Sequence, residues 1–226
     1  SVSSFDILEE DRSQTWGAVG VHYGTIRVRT QVTSFLRRLP SGEVIGEHPL
    51  DLPERTLMTK GVWWTVPEEH LLDAGVTPES APGALHAAEH CSIGLISLVA
   101  QGDRWDVGGV STALHPDTDM PSVVVYDALP GGSGFAERAY ERAATWLRAT
   151  QDAIASCGCE HGCPACIQSP KCGNNNEPLD KAGAAALLRL LLEAAPQHPS
   201  TADPAHRELS RTDDFDAPSS PVTRSN

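Results

Sequence analysis

The chain has 226 residues, 17 Lys+Arg against 30 Asp+Glu, a formal net charge of −13 and 40% apolar residues. Patterned apolar sequence of this length excludes a wholly disordered chain and is enough to bury a core. The longest apolar stretches, near 93–100 and 184–192, fall short of the ~20 residues a membrane-spanning helix needs. The acidity argues against nucleic-acid binding by bulk charge alone. Among the cations only Lys60, Lys171 and Lys181 are lysines, and the rest are Arg, the better residue for gripping phosphate.

Taken in chain order, residues 1–66 read as mostly strand. In Thr25–Val32, Ile26 and Val28 alternate with Arg27 and Arg29, the period-two pattern of a half-buried strand. Val62–Val66 is a second short strand, closed by Pro67. Residues 40–55 are turn-rich, and 67–83 form a Pro- and Gly-containing connection at an expected subdomain boundary. Ala84 to Ala100 reads as a mostly apolar, buried helix. A strand follows through Trp105–Val110. Val123–Tyr126 is a short apolar run of the buried-strand kind, broken by Pro130-Gly-Gly-Ser-Gly134 and followed by an amphipathic helix from Phe135 to Thr150. A last helix spans about Pro178 to Ala195, with Pro178 suited to its first turn. Residues 196–226 are polar, rich in Pro, and expected to be a disordered tail. The N-terminal Asp6, Glu9, Glu10 and Asp11 are unlike a signal peptide, and the chain, which starts on Ser, is expected to be part of a longer polypeptide.

Five of the six cysteines fall in Cys157-x-Cys159-x3-Cys163-Pro164-x-Cys166-x5-Cys172. Short spacings of soft ligands let one loop wrap one tetrahedral Zn²⁺, and Gly158, Gly162 and Gly173 permit the backbone angles of a tight knuckle. Clustering without a signal peptide favours a metal in a reducing cytoplasm over a disulfide scaffold. Five thiols compete for four places: Cys157, Cys159, Cys163 and Cys166 are the first choice, Cys172 the substitute, and His161 a weaker one. A closed site with four protein ligands is structural rather than catalytic. A Cys163/Cys166 redox pair and an iron site are the competing readings.

Four further features carry possible chemistry. His86-x-x-Glu89-His90 puts three polar side chains on one helix face and matches a short inverted zinc-protease motif; the bland reading is a polar face bonded to neighbouring loops. Gly131-Gly-Ser-Gly134, between strand and helix, is placed either as an anion cradle or as a tight packing turn, with Gly132 and Ser133 as candidate phosphate contacts. Arg27, Arg29, Arg37 and Arg38 form the cationic cluster, a solvated strand face or a DNA-backbone contact. Asp106 and Asp127 lie near strand ends, as caps or as a carboxylate pair. Cys91, alone in an apolar helix, reads as core.

In order along the chain stand His86-Ala-Ala-Glu-His90, Asp106-Val-Gly-Gly-Val-Ser-Thr112, Tyr126-Asp-Ala-Leu-Pro-Gly-Gly-Ser-Gly134 and the Cys157–Lys181 segment. Together they resemble the zinc-binding C-terminal domain of the MrfA/SftH-type DEAD/DEAH-box helicases, bacterial superfamily 2 enzymes related to a eukaryotic RecQ4-like group. The resemblance covers roughly 84–195; residues 1–66 are similar, with less specificity, to the segment joining motor to zinc domain. It implies a DNA-dependent ATPase that moves 3′ to 5′ and unwinds duplex DNA in repair. It maps the family's four cysteines onto Cys157, Cys159, Cys163 and Cys166, and places Cys172 in an extension of the closer relatives. Neither a Walker A Gly-Lys-Ser/Thr nor a DEAD/DEAH box occurs in the chain, so ATP hydrolysis is not assigned to it.

The resulting expectation is an α+β protein: a β-rich connecting subdomain over 1–66, a mixed, zinc-stapled helical domain over 67–195 and a tail. One structural Zn²⁺, the helicase motor domains of the same polypeptide and single-stranded DNA are its expected partners. It is expected to be a monomer without a membrane anchor, cytoplasmic and nucleoid-associated. The rival readings are a stand-alone metal-dependent hydrolase using His86, Glu89 and His90, and a protein-interaction module that never meets DNA.

Overall fold

A computed structural model describes residues 1–197; residues 198–226, most of the predicted tail, lie outside the described residues. Seven strands and five helices follow in the order β1 (Val2–Trp16), β2 (Val19–Gln31), β3 (Ser34–Arg38), β4 (Val44–Pro49), β5 (Arg55–Thr65), α1 (Glu68–Asp73), α2 (Ala81–Gly94), β6 (Val107–His115), β7 (Met120–Asp127), α3 (Phe135–Glu141), α4 (Ala143–Ser156) and α5 (Lys181–Glu193), with a short 3-10 turn at Ile96–Leu98. This is the α+β class the sequence predicts. No described helix is long and apolar enough to cross a membrane.

Five strands form one antiparallel sheet in the order β1-β2-β5-β7-β6, while β3 and β4 make a separate hairpin. The sheet does not stop at the boundary expected near residue 66. β5 pairs with β7, with Val62 opposite Val125 and Trp64 opposite Val123. The reason lies in the side chains: Val62–Val66 and Val123–Val125 are buried, and a strand buried on both faces needs a central place in a sheet. Neighbouring residues of β5 serve different faces. Val62 and Trp64 join the large core under the helices. Trp63 points to the other side, into a smaller cluster with Phe5, Ile26, Val28, Val110 and Val124.

The helices pack on one face of this sheet. α2 is buried nearly all round, and it lies against β6, β7, α4 and α5; its polar strip of His86, Glu89 and His90 is bonded to Pro178, Ser111 and Ile167. The predicted Phe135–Thr150 helix is two helices. Arg142 leaves helical geometry at φ −117°, ψ 27° and ends α3 where α4 begins. The change of direction lets α3 follow β2, β5 and β7 while α4 packs Trp146 and Leu147 beside α2 and α5. α5 starts later than predicted, capped by Asp180, whose carboxylate accepts from the Gly183 amide at 2.9 Å, a standard use of Asp at an N-cap. The Asp180 amide in turn donates to the Gly83 carbonyl at 3.0 Å, and a Cβ on Gly83 would sit 3.1 Å from that nitrogen.

The glycine loop after β7 is an anion cradle that the chain fills itself. Asp127, at the end of β7 and fully buried, accepts from the amides of Ser133 (2.6 Å), Gly134 (2.8 Å) and Ala136 (2.9 Å). Its backbone carbonyl also accepts from the Thr59 hydroxyl at 2.8 Å. The donors that the sequence offered to a phosphate are therefore already taken at Ser133, and Gly132 is packed against Lys60 and Asp127. Asp106 likewise serves a turn, accepting from the Asp103 amide at 2.9 Å.

Replacing Asp127 by Ala leaves three amides at this loop without their acceptor. The expected loss is about 3 kcal/mol, a fall in melting temperature of about 10 °C for a chain of this size. Thermal unfolding followed by circular dichroism checks it, with Asp127→Asn expected to lose less because it keeps an acceptor oxygen.

Candidate metal centre

Residues 157–180 contain no helix or strand, so something other than a backbone ladder must order them. α4 ends at Ser156 and delivers Cys157 in an extended conformation, φ −69°, ψ 123°. The chain then turns back through Gly162, whose φ of +111° suits glycine alone and whose Cβ would meet Ile167 at 2.5 Å. A tight turn closes Cys163 to Cys166, with the Cys166 and Gln168 amides donating to the Cys163 carbonyl at 3.0 and 3.1 Å. Ile167 is fully buried and anchors the knuckle in the main core.

These turns bring four sulphurs together. Cys157 lies 3.6 Å from Cys159 and 3.6 Å from Cys163; Cys166 lies 3.5 Å from Cys159 and 3.8 Å from Cys163. Four thiolates at the usual Zn–S length of about 2.3 Å occupy tetrahedral corners about 3.8 Å apart. A disulfide would need about 2 Å, and all six cysteines are free. The donor set therefore fits one closed, structural zinc.

The surroundings favour thiolate. Lys181, the first residue of α5, donates to the Cys159 sulphur at 3.3 Å, to the Cys157 carbonyl at 2.7 Å and to the Cys159 carbonyl. The Cys163 amide donates to the Cys166 sulphur at 3.3 Å. Burial raises the Cys159 thiol, but hydrogen bonds from Cys166, Cys157 and Lys181 outweigh it and bring it down to about 6. Burial, by contrast, pushes Cys166 up to about 12. Side by side, the four thiols do not all ionise without a cation among them.

The remaining thiols are elsewhere. Cys91 is buried in α2, its thiol raised to about 12 by burial, as core packing predicts. His161 is exposed beside Glu160 and does not enter the cluster. Cys172 stands apart from the other four, with its sulphur 3.5 Å from His86 Nε2. His86, His90 and Cys172 offer ligand atoms within 4.8 Å of one another. Burial raises the Cys172 thiol, but hydrogen bonds with His86 and His90 more than reverse this and bring it down to about 5. Glu89 shares the face of α2 with both histidines, as the spacing predicts. It is buried, which pushes its carboxyl up, and it accepts from the Ser111 hydroxyl at 2.7 Å. The sequence signal for the histidine pair was the i, i+4 spacing; nothing local ties Cys172 to it.

The four arginines do not form one patch. Arg27 and Arg29 project from β2 onto Asp6 of β1, Arg27 at 3.7 Å and Arg29 in direct hydrogen bond, so a carboxylate across the strand pair answers both. Arg37 and Arg38 are exposed on the β3-β4 hairpin. Arg38 donates to the Asn175 side chain at 2.7 Å, reaching the loop beyond the zinc knuckle.

Residues 88–167 match the MrfA Zn-binding domain family. The Bacillus subtilis ATP-dependent helicase YprA is 29% identical over 162 residues, 71% of this chain and 21% of that protein. MJ1572.1 of Methanocaldococcus jannaschii is 37% identical over 111 residues, 48% of this chain and 99% of that protein. Among solved structures, that of the DUF1998 helicase MrfA bound to DNA superposes with a TM-score of 0.59 and 26% identity, over 84% of this chain and 25% of the helicase. The chain thus spans about a fifth of YprA and a quarter of the MrfA chain.

Two outcomes test the centre. Lys181→Ala is expected to weaken zinc binding about 10- to 100-fold, the usual cost of losing an outer-shell partner, as read by competition with a chromophoric chelator. Zinc affinity is also expected to fall with acidification, because the ligands must be deprotonated. All four thiols must lose their protons to bind, so zinc release measured against pH should increase as the pH is lowered; an affinity that does not change with pH would contradict this ligand set. Fold, cysteine geometry and relatives agree that the chain belongs to the MrfA-type zinc-binding domains.

Proposed function

We propose that this chain is the C-terminal zinc-binding accessory part of an ATP-dependent 3′-to-5′ DNA helicase of superfamily 2. It docks on the motor domains of the same polypeptide and guides single-stranded DNA during DNA repair. The observation that carries the reading is the four-cysteine knuckle on a fold shared with a helicase whose structure was solved with DNA bound. Such a protein acts at the nucleoid in the cytoplasm, and this part of it works as a monomer. The chain itself supplies no ATPase motif; its contribution is placement of the DNA path and of the motor.

The DNA contact is assigned to the hairpin. Arg27 and Arg29 already face Asp6, and the glycine loop is closed around Asp127. Arg37 and Arg38 are exposed, and two Arg forks are a modest but usable grip on phosphate. With a net charge of −13, the chain alone binds DNA weakly.

A second reading rests on the same hairpin, which exposes Phe35, Leu36, Leu39, Val44 and Ile45. Successive strand residues face opposite sides, so both faces of the hairpin offer apolar side chains to a protein partner. Fluorescence anisotropy with a single-stranded oligonucleotide separates the two. Under the DNA reading, Arg37→Ala with Arg38→Ala weakens binding several-fold and lowers the slope of log K against log salt by about 1.4, from about 0.7 for each of two lost phosphate contacts. An unchanged slope would assign the hairpin to protein docking.

A further inference from the structure

Outside the four-cysteine knuckle, α2 and the loop after the knuckle build a second cluster. His86 and His90 are one helical turn apart and face the same way. Their rings lie 4.2 Å apart, edge to face at 63°. Each ring has its Nδ1 fixed on a backbone carbonyl, His86 on Pro178 at 2.8 Å and His90 on Ile167 at 2.8 Å. A carbonyl only accepts, so Nδ1 carries a proton in both rings, and a metal replaces any proton on Nε2, the nitrogen that faces the Cys172 sulphur in His86. This is the arrangement in which an outer carbonyl fixes the tautomer of a metal-binding histidine. Cys172 completes the group, its sulphur 3.5 Å from His86 Nε2. The Asn176 amide donates to that sulphur at 3.3 Å, as the Cys163 amide does to Cys166 in the knuckle.

We infer that His86, His90 and Cys172 form a second metal site, distinct from the knuckle, that takes one Zn²⁺ through two imidazole nitrogens and one thiolate. Their ligand atoms all lie within 4.8 Å of one another, and a set of two imidazole nitrogens and one thiolate suits zinc. All three side chains line a cavity of about 700 Å³ with Glu89, Ser111 and Lys171. Three protein ligands beside a cavity leave the fourth position for water or a small ligand, unlike the closed four-thiolate knuckle. The ion would also tie α2 to the segment between the knuckle and α5, which is otherwise without regular structure. The inference is independent of the helicase reading: it stands on these three residues whether or not the chain meets DNA.

The test is a zinc count on the purified full chain after reconstitution with excess Zn²⁺ and removal of unbound metal. Two ions per chain are expected, falling to one in His90→Ala and in Cys172→Ser. One ion in the unsubstituted chain, or two retained in both variants, would overturn the site. A second measurement needs no variant and so survives a folding failure. Cys172 alkylation, located by peptide mass, is expected to slow about tenfold or more when zinc is added and to recover with chelator, because a metal-bound thiolate is a poor nucleophile. Cys172 that alkylates equally fast with and without zinc is a thiolate beside two histidines and no metal ligand.

Discussion

The zinc at the four cysteines is the constraint on which the C-terminal half depends. Between α4 and α5 the chain runs from 157 to 180 without helix or strand, an uncommon length of irregular chain inside a packed domain. Yet Ile167 and Cys166 within it are buried in the main core. Packing alone would have to order this segment against its conformational entropy. A structural zinc, with an apparent binding energy of about 10–16 kcal/mol, supplies the missing term. Lys181 carries the effect onward: it holds the knuckle's carbonyls and one sulphur from the first turn of α5. The N-terminus of α5 is also fixed to α2 through Asp180 and Gly83. Metal, lysine and cap thereby set where the last helix lies.

The sheet gives that half something to stand on. β5 brings Trp63 and Trp64 to opposite faces and pairs with β7, so the N-terminal strands and the zinc-bearing part share one core. The buried Asp127 locks the turn from β7 into α3. A negative charge at that helix start is favourable for the same reason a phosphate would be, since unpaired amides and the helix dipole both point at it. The chain uses its own carboxylate there, so Ser133 and Gly134 have no free amide to offer a phosphate.

How much of this could be read from sequence depended on how local the signal was. The knuckle was legible because its four ligands lie within ten residues and their spacing is itself the geometry. The β7–loop–α3 unit was legible from an apolar run, a glycine cluster and an amphipathic pattern. The break at Arg142 was not, because no Pro or Gly marks it and the apolar stripe runs through it. The shared sheet was hidden because the pairing of β5 with β7 spans some sixty residues, from Val62 to Val125. Arg27 and Arg29 looked available because their partner, Asp6, is on the neighbouring strand. Cys172 was grouped with the nearest thiols in sequence, whereas the fold carries it to His86, 86 residues away. In each case short-range chemistry was visible and long-range pairing was not.

The most direct test of the account is hydrogen exchange of the full chain with and without its zinc, metal removal being verified by elemental analysis. If the ion orders the C-terminal half, amides of the 157–167 knuckle and of α5 lose protection on metal removal, while the central strands β2 and β5 keep theirs. Equal protection in the knuckle and α5 with and without metal would contradict it.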